Sequence, residues 1–356
     1  MKKRPFKILL PADSEAFHTE RIAAEYRRQG CRLMIASLER GPIHHFHLRR
    51  RGPVRRLHYS FASLQMRELI ERFKPDVINP HYASGYGFMT AQATRRKHVP
   101  TLLNLWGSDI LIVPGLSILH RLKTIRALKA ADHVVGDSHY LIEAAKKLIP
   151  LENTSVIPWG IERCFLSLHR SDYRFNSPLR IIVPRTQAEV YNNQFVLESL
   201  SDMVRNGRIT LTFPAFGPLA DKFREKAGEL TGRGVTLYER TDRPGFLKMT
   251  AAHDVFLSAS RSDSSPASLI EAMALGLVPV AAEIDGVAEW LTSESGFLFR
   301  QDDSENLQRV IESILTAAEP FTEMRRNNLA RVRKEAIFED NIAEQLTIMK
   351  NLAGMD

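Results

Sequence analysis

The chain has 356 residues, too many for a single hydrophobic core, so two domains are expected. Its 44% hydrophobic and 25% charged residues exclude a low-complexity or disordered chain, and no internal repeat at solenoid spacing is present. The net charge of +8 is uneven: residues 1–165 carry 27 Lys and Arg against 14 Asp and Glu, a net of +13, and the remainder is −5. A basic half of this kind suits an anionic partner: an acidic membrane surface, a phosphorylated lipid or nucleic acid. No nucleic-acid-binding motif accompanies it, so nucleic acid is not expected. Two distant cysteines, Cys31 and Cys164, exclude a disulfide framework and fit a reducing cytoplasm.

Residues 7–10 (KILL) read as a buried strand, and the apolar run before Pro11 is too short for a signal peptide. A helix over residues 19–29 and a strand over 31–36 complete the entry to a doubly wound parallel sheet. The first loop carries Asp13, Glu15 and His18 where such sheets place ligands, but no G-x-G-x-x-G follows. His18 reads equally as a phosphate or acceptor contact and as a helix-start residue with no role. Residues 44–59 hold five arginines and four histidines. Their spacing fits no zinc site, so a solvated basic loop able to meet phosphate head groups is expected.

Residues 63–73 read as a helix, 76–79 as a strand, and 80–87 as a small and aromatic loop containing His81. A strand over 101–105 runs into Trp106-Gly107-Ser108-Asp109. Residues 110–119 (ILIVPGLSIL) are apolar enough for a surface-seeking loop or a buried connection; across residues 99–119, Pro100, Asp109, Pro114 and two glycines argue against a membrane span. A basic helix over 119–130, a strand over 132–136 and a short strand over 154–157 close the first series. Residues 161–178 lack a period and read as a linker.

A second series follows: strands over 179–183, 209–213, 235–238, 254–257, 278–282 and 296–299, with helices over 193–206, 220–230, 244–252 and from about 304 onward. Within it residues 258–280 (SASRSDSSPASLIEAMALGLVPV) form a strand-loop-helix unit with Asp263 and Glu271 eight apart. The residues between include Ser264, Ser265, Pro266, Ala267 and Ser268, all small, which lets backbone N–H groups and a helix N-terminus approach an anion. A carboxylate one turn into the helix can accept two hydrogen bonds from a ribose diol. A nucleotide sugar offers both features; a buried unit in which Glu271 is only a structural acid is the alternative.

From residue 254 to 299 the chain closely resembles the retaining glycosyltransferases of family 4, with the GT-B fold. Their signature, an acid, seven residues and then Glu-Ala-Met-Ala-x-Gly-x-Pro-Val, stands here as Asp263 followed by EAMALGLVPV. VIPWGI at 156–161, Gly286-Val287-Ala288-Glu289, and Trp106 to Asp109 in place of His-Gly-x-Asp extend the likeness over nearly the whole chain. Three departures are visible. The first acid is Asp263, one methylene shorter than Glu; Trp106 replaces a His; and of the Arg…Lys phosphate clamp only Arg185 is present, with Val190-Tyr191-Asn192-Asn193 at the Lys position.

The resemblance implies an α/β chain of two Rossmann-like, doubly wound parallel-sheet domains facing a cleft. Residues 1–160 would be acceptor-binding, 161–178 a linker and 179–338 nucleotide-sugar-binding, with residues 339–356 packing back on the first domain. It implies a hexosyl transfer from a nucleotide-diphosphate sugar, UDP first among the bases, to a hydroxyl of a glycan or polyprenyl-linked acceptor in cell-surface polysaccharide or lipopolysaccharide synthesis. Glu271 would bind ribose, Asp263 the sugar hydroxyls with the amides of residues 264–267, and Arg185 the leaving diphosphate with the helix start near Ser268 and with Tyr191 beside it. His18, His81, Trp106 and Asp109 would line the acceptor side. No cofactor is implied beyond the co-substrate. No Asp-x-Asp stands at a strand end, so no metal is expected either. The implied location is the cytoplasm, peripheral at the inner face of the plasma membrane. The alternatives are a non-catalytic nucleotide-sugar-binding subunit, motivated by the missing Lys, and a GT-B sugar-nucleotide epimerase.

Overall fold

The computed structural model describes residues 4–49 and 58–355, so part of the basic stretch 44–59 lies outside the described residues. The chain divides into two compact units, Met1–Ile157 with Glu339–Asp356, and Pro158–Phe338.

The first unit contains β1 (Lys7–Pro11), β2 (Arg32–Ser37), β3 (Phe46–His47), β4 (Val77–Ile78), β5 (Leu102–Asn104), β6 (His133–Gly136) and β7 (Thr154–Val156). They pair in the orders β3-β2-β1-β4 and β5-β6-β7, all parallel. Parallel bridges Ile78–Thr101 and His81–Asn104 join the two sets. Strands covered on both faces need continuous apolar sequence, and KILLP and LLN supply it. The helix Phe17–Arg28 links β1 to β2 and buries Ile22, Ala23 and Tyr26.

The second unit contains β8 (Leu179–Ile182), β9 (Ile209–Pro214), β10 (Val235–Tyr238), β11 (Val255–Ser258), β12 (Val278–Ala282) and β13 (Phe297–Phe299). Their order is β10-β9-β8-β11-β12-β13, every pair parallel. This is a doubly wound sheet whose winding reverses between β8 and β11. Alternation along the strands builds two cores. Ile181, Val255 and Leu257 pack with Val196 and Leu200 of the helix Asn193–Arg205. Ile182 and Phe256 pack with Leu269 and Met273 of the helix Ala267–Leu275. That second helix is buried from Leu269 to Leu275 and stops at Gly276, whose φ of +85 only glycine adopts cheaply.

Several expectations shift in detail. The helix expected from residue 63 begins at His58 and runs to Phe73. The expected loop 80–87 contains a π-helical turn, Tyr82–Gly87. The wide turn follows from small residues against neighbours: a Cβ on Gly87 would lie 3.0 Å from Leu103, and the Ala83 N–H donates to the Asp109 carboxylate at 2.7 Å. Residues 161–178 are packed rather than bare linker: Arg163–Leu168 is a 3-10 helix whose Phe165 and Leu166 lie on the second core. Arg170 bonds the fully buried Asp254 at 2.9 Å, and the Arg180 N–H donates to the same carboxylate. The final helix, Phe338–Leu352, lies almost wholly within the first unit, where Gln345 accepts from Asn104 at 3.0 Å. No helix among the described residues is long and apolar enough to cross a membrane.

Candidate functional site

In a doubly wound sheet the point where strand order reverses opens a crevice at the carboxyl ends of the strands. In the second unit that point lies between β8 and β11, so the loops after these strands are the place to look. Arg185 follows β8, and Asp263 follows β11. The structure brings them together: Arg185 Nη2 donates to Asp263 Oδ2 at 2.6 Å, and Nη1 to Ser268 Oγ at 3.2 Å. The Tyr191 ring lies under the guanidinium, 4.3 Å from its carbon. Burial opposes the charge on Arg185, but the facing Asp263, with smaller help from Tyr191 and Glu271, outweighs it and keeps Arg185 more basic than usual. Its Nε is buried with no hydrogen-bond partner, a donor left over in a polar site.

The backbone around this pair is fixed from both sides. Asn193 donates to the carbonyl oxygen of Arg185 at 2.7 Å, anchoring the loop after β8. The loop after β11 is buried at Ser264, Ser265 and Pro266. Trp290 Nε1 donates to Ser265 Oγ at 3.0 Å, which gives Ser265 a structural partner. Gly286 is pressed against the same loop: a Cβ there would run into the carbonyl oxygens of Asp263 and Ser264. Pro266 is the N-cap of the helix Ala267–Leu275 and Ser268 lies in its first turn, so the free N–H groups of that turn sit beside Arg185.

Glu271 does not join the Arg185–Asp263 pair. It lies one turn deeper with its side chain only 5% exposed, and accepts from Arg243 Nη1 at 2.6 Å. Arg243 Nη2 also bonds Glu162 at 2.7 Å, so one guanidinium spans two carboxylates. Burial works against the charge on Arg243, yet Glu271 and Glu162 together hold it more basic than usual. Arg243 and Glu162 were not among the expected site residues. The signal was present: an acid within the apolar run LIEAMAL needs a cation, but sequence separation hides which one answers. At Val190-Tyr191-Asn192-Asn193, where a Lys is missing, the 3-10 turn Glu189–Tyr191 ends at Asn192 and the helix Asn193–Arg205 begins. Asn192 there adopts φ +52 and donates to Asp302 at 2.9 Å.

The first unit has its own reversal, between β1 and β4. His18 stands near the start of the helix after β1, and His81 follows β4. Trp106 packs edge-on against both, with ring centroids 5.6 Å apart in each case. His81 is buried and takes a hydrogen bond from Asn104 at 2.9 Å; burial, with His18 nearby, pushes its pKa down to about 3. Asp109 is fully buried and accepts from the N–H groups of Ala83 and Trp106. Burial pushes it up to about 6 although those N–H groups pull the other way. Asp109 therefore shapes the loops that carry His81 and Trp106. Tyr82, at φ +77, is in a backbone region costly for a bulky residue and bonds Ser108. A cavity of about 320 Å³ is lined by Asp13, Glu39, His81, Tyr82, Tyr86 and Trp106, among others.

Comparison with known proteins adds a second line of argument. A family model described as Glycosyl transferase 4-like matches residues 7–138, and one described as Glycosyl transferases group 1 matches residues 178–317. A Bacillus subtilis (strain 168) protein bearing the name of a teichuronic acid biosynthesis glycosyltransferase, TuaC, is 26% identical over 269 residues. The match covers 71% of this chain and 65% of that protein, just under two thirds of the relative's length. Among solved structures, the sucrose-phosphate synthase (tll1590) of Thermosynechococcus elongatus superposes with a TM-score of 0.82 at 16% identity, over 98% of this chain and 99% of that one. Anabaena Alr3699/HepE, solved in complex with UDP-glucose, gives 0.77 at 18% identity, over 96% and 99%. At such identities these likenesses establish a shared fold.

Proposed function

From a chain that belongs to the group 1, family 4-like glycosyltransferases and has the GT-B fold, we propose an enzyme that moves a sugar from a nucleotide-diphosphate sugar, UDP first, to a hydroxyl of a glycan or lipid-linked acceptor with retention. One observation carries this: Arg185, Asp263, Ser268 and the start of the helix Ala267–Leu275 meet where the strand order reverses, with Glu271 one turn inside. The complex of HepE with UDP-glucose supports the choice of donor. The relative named for teichuronic acid biosynthesis supports a glycan acceptor.

Breaking the bond to a diphosphate leaves growing negative charge on the leaving oxygens. Arg185 and the N–H groups of the helix start are fixed donors that meet this charge without reorganising. Without donor, Asp263 neutralises Arg185. When donor binds, sugar hydroxyls would replace Arg185 at the carboxylate and release the guanidinium to the diphosphate. Glu271, held by Arg243, keeps an oxygen for the ribose hydroxyls. In the first unit the cavity beside His81 and Trp106 would receive the acceptor. The basic first half supports peripheral contact with an anionic membrane at the inner face of the plasma membrane. This charge neutralisation by Arg185 and backbone requires no metal.

The test is thermal unfolding with UDP, GDP, CDP, ADP and dTDP, on wild type and Glu271→Gln, followed by donor turnover with and without EDTA. Binding of the correct nucleotide at a hundredfold excess over Kd stabilises by about 2.7 kcal/mol, and Glu271→Gln should lose most of it. Arg185→Ala should lower turnover by about 10²–10³-fold, and EDTA should leave it unchanged. Stabilisation without any donor turnover would favour the second reading, a nucleotide-sugar-binding subunit, for which the missing cation at residues 190–193 is the argument. No stabilisation by any nucleotide would overturn the donor site.

A further inference from the structure

The short helix Val113–Leu116 and the helix Ile118–Ala130 leave an apolar surface that the proposed reaction does not use. Residues 115–122 (GLSILHRL) are exposed without interruption. Leu116 and Ile118 are 65% and 68% exposed, and Leu119 and Leu122 about half. The longer helix meets its own unit through Thr124, Ala127 and Leu128. At about 100° per residue, Ile118, Leu119 and Leu122 fall on the opposite side, and Arg126 and Lys129 continue the same stripe. The helix therefore carries a second, outward stripe, aliphatic at its N-terminal end and cationic at its C-terminal end.

The flanking surface repeats this chemistry. The helix Phe88–Ala93 packs between the helices His58–Phe73 and Ile118–Ala130. Two shallow grooves there share Phe88, Arg95 and Arg126. They are lined by Leu64, Leu119 and Leu122 and by the cations Arg67, Arg95, Arg96, Lys123, Arg126 and Lys129. One carboxylate, Asp132, lines them, and His98 faces it at 3.4 Å. Exposed aliphatic side chains beside six cations match an anionic lipid bilayer: acyl chains take the first, and lipid phosphates the second.

We propose that this surface docks the protein on an anionic membrane, with Leu116, Ile118, Leu119 and Leu122 inserted among the acyl chains and Arg95, Arg126 and Lys129 on the lipid phosphates. The inference rests on the first unit alone. It goes beyond the proposed reaction by naming the inserting element and separating insertion from general attraction to positive charge.

Co-sedimentation of the full chain with phosphatidylglycerol-containing vesicles, and with pure phosphatidylcholine vesicles, tests it. Wild type should pellet with the first and stay in solution with the second. Arg126→Glu with Lys129→Glu should weaken binding by about tenfold or more, since each cation near the surface changes affinity several-fold. Leu116→Ser with Ile118→Ser and Leu122→Ser should weaken binding by about tenfold or more at physiological salt, where screening leaves charge alone too weak to hold the protein. These positions are exposed, and far-UV circular dichroism together with an unchanged unfolding transition of the first unit reports whether each variant is folded. A wild type that stays in solution with anionic vesicles overturns the proposal, as does a serine variant that binds like wild type. A wild-type dimer in solution that the serine variant dissociates would instead make the surface a copy-to-copy interface, which also overturns it. Loss of nucleotide binding with vesicle binding intact would count against the donor site and not against this surface.

Discussion

Arg243 is one side chain that ties together two acids, one of them a candidate site residue. It bonds Glu271 at 2.6 Å and Glu162 at 2.7 Å with only 13% of its side chain exposed. Removing it would leave two carboxylates facing each other in a poorly solvated pocket, a loss of about 3–5 kcal/mol for a buried pair. Arg243→Lys keeps one charge but loses the fork that reaches both acids. The expected result is a UDP Kd raised about tenfold or more in Arg243→Lys, with a smaller effect on turnover of saturating donor, because the residue positions Glu271 and does not meet the reacting atoms. Titration calorimetry checks it, and an Arg243→Lys variant that binds UDP like wild type would refute the role. His81 gives a prediction of another kind. Its folded pKa of about 3 lies below the ordinary value of 6.5, so the unfolded chain binds the extra proton first. Its contribution is present above pH 6.5 and lost as pH falls toward 3, by up to about 5 kcal/mol. Asp109, pushed up to about 6, runs the other way as pH falls from about 6 to 4. The difference between wild type and His81→Gln in urea unfolding cancels the Asp109 contribution. That difference should shrink steadily below pH 6.5; a difference flat from pH 7 to 5 would show that His81 does not titrate in this way.

At the scale of elements, the parts legible in the sequence were those set by local pattern. Apolar runs mark the strands, as in KILL, DVFL and VPVAA. The loop between Asp263 and Ser268 was legible because small residues between a strand and a helix do one thing well. Arg185 and Asp263 are each expected from the sequence as candidate site residues, but the strand order that makes them neighbours is not readable there, because it depends on pairing between residues far apart in sequence. The same limit hid Arg243 and Glu162. The π-helical turn Tyr82–Gly87 looks like loop in the sequence for a different reason: its shape is imposed by Asp109 and Leu103, which belong to later elements. Residues 161–178 lacked a period because a 3-10 helix and single side-chain anchors, such as Arg170 on Asp254, hold them to the second unit. Periodicity finds elements packed along their whole length and passes over segments pinned at points.

At the scale of the whole molecule, the chain order and the division into units do not coincide. Glu339–Asp356 belongs with the first unit although it follows the second in sequence. The helix Phe338–Leu352 buries Ile342, Leu346 and Met349 almost completely, and its Gln345 satisfies Asn104, which also serves His81. Burying three such side chains is worth about 2 kcal/mol each, together about 6 kcal/mol, against a total stability for a domain of about 5–15 kcal/mol. The first unit should therefore depend on residues that follow the second unit in the chain. Deleting residues 339–356 should lower or abolish the unfolding transition of the first unit and expose apolar surface to a dye. The second unit, whose sheet, cores and Arg185–Asp263 and Arg243–Glu271 pairs lie within Pro158–Phe338, should still be stabilised by UDP. Differential scanning calorimetry with and without UDP separates the two transitions. A truncated chain that unfolds like the full one would show that the terminal helix contributes little. One that loses UDP stabilisation would show that the donor site draws on more of the chain than the second unit.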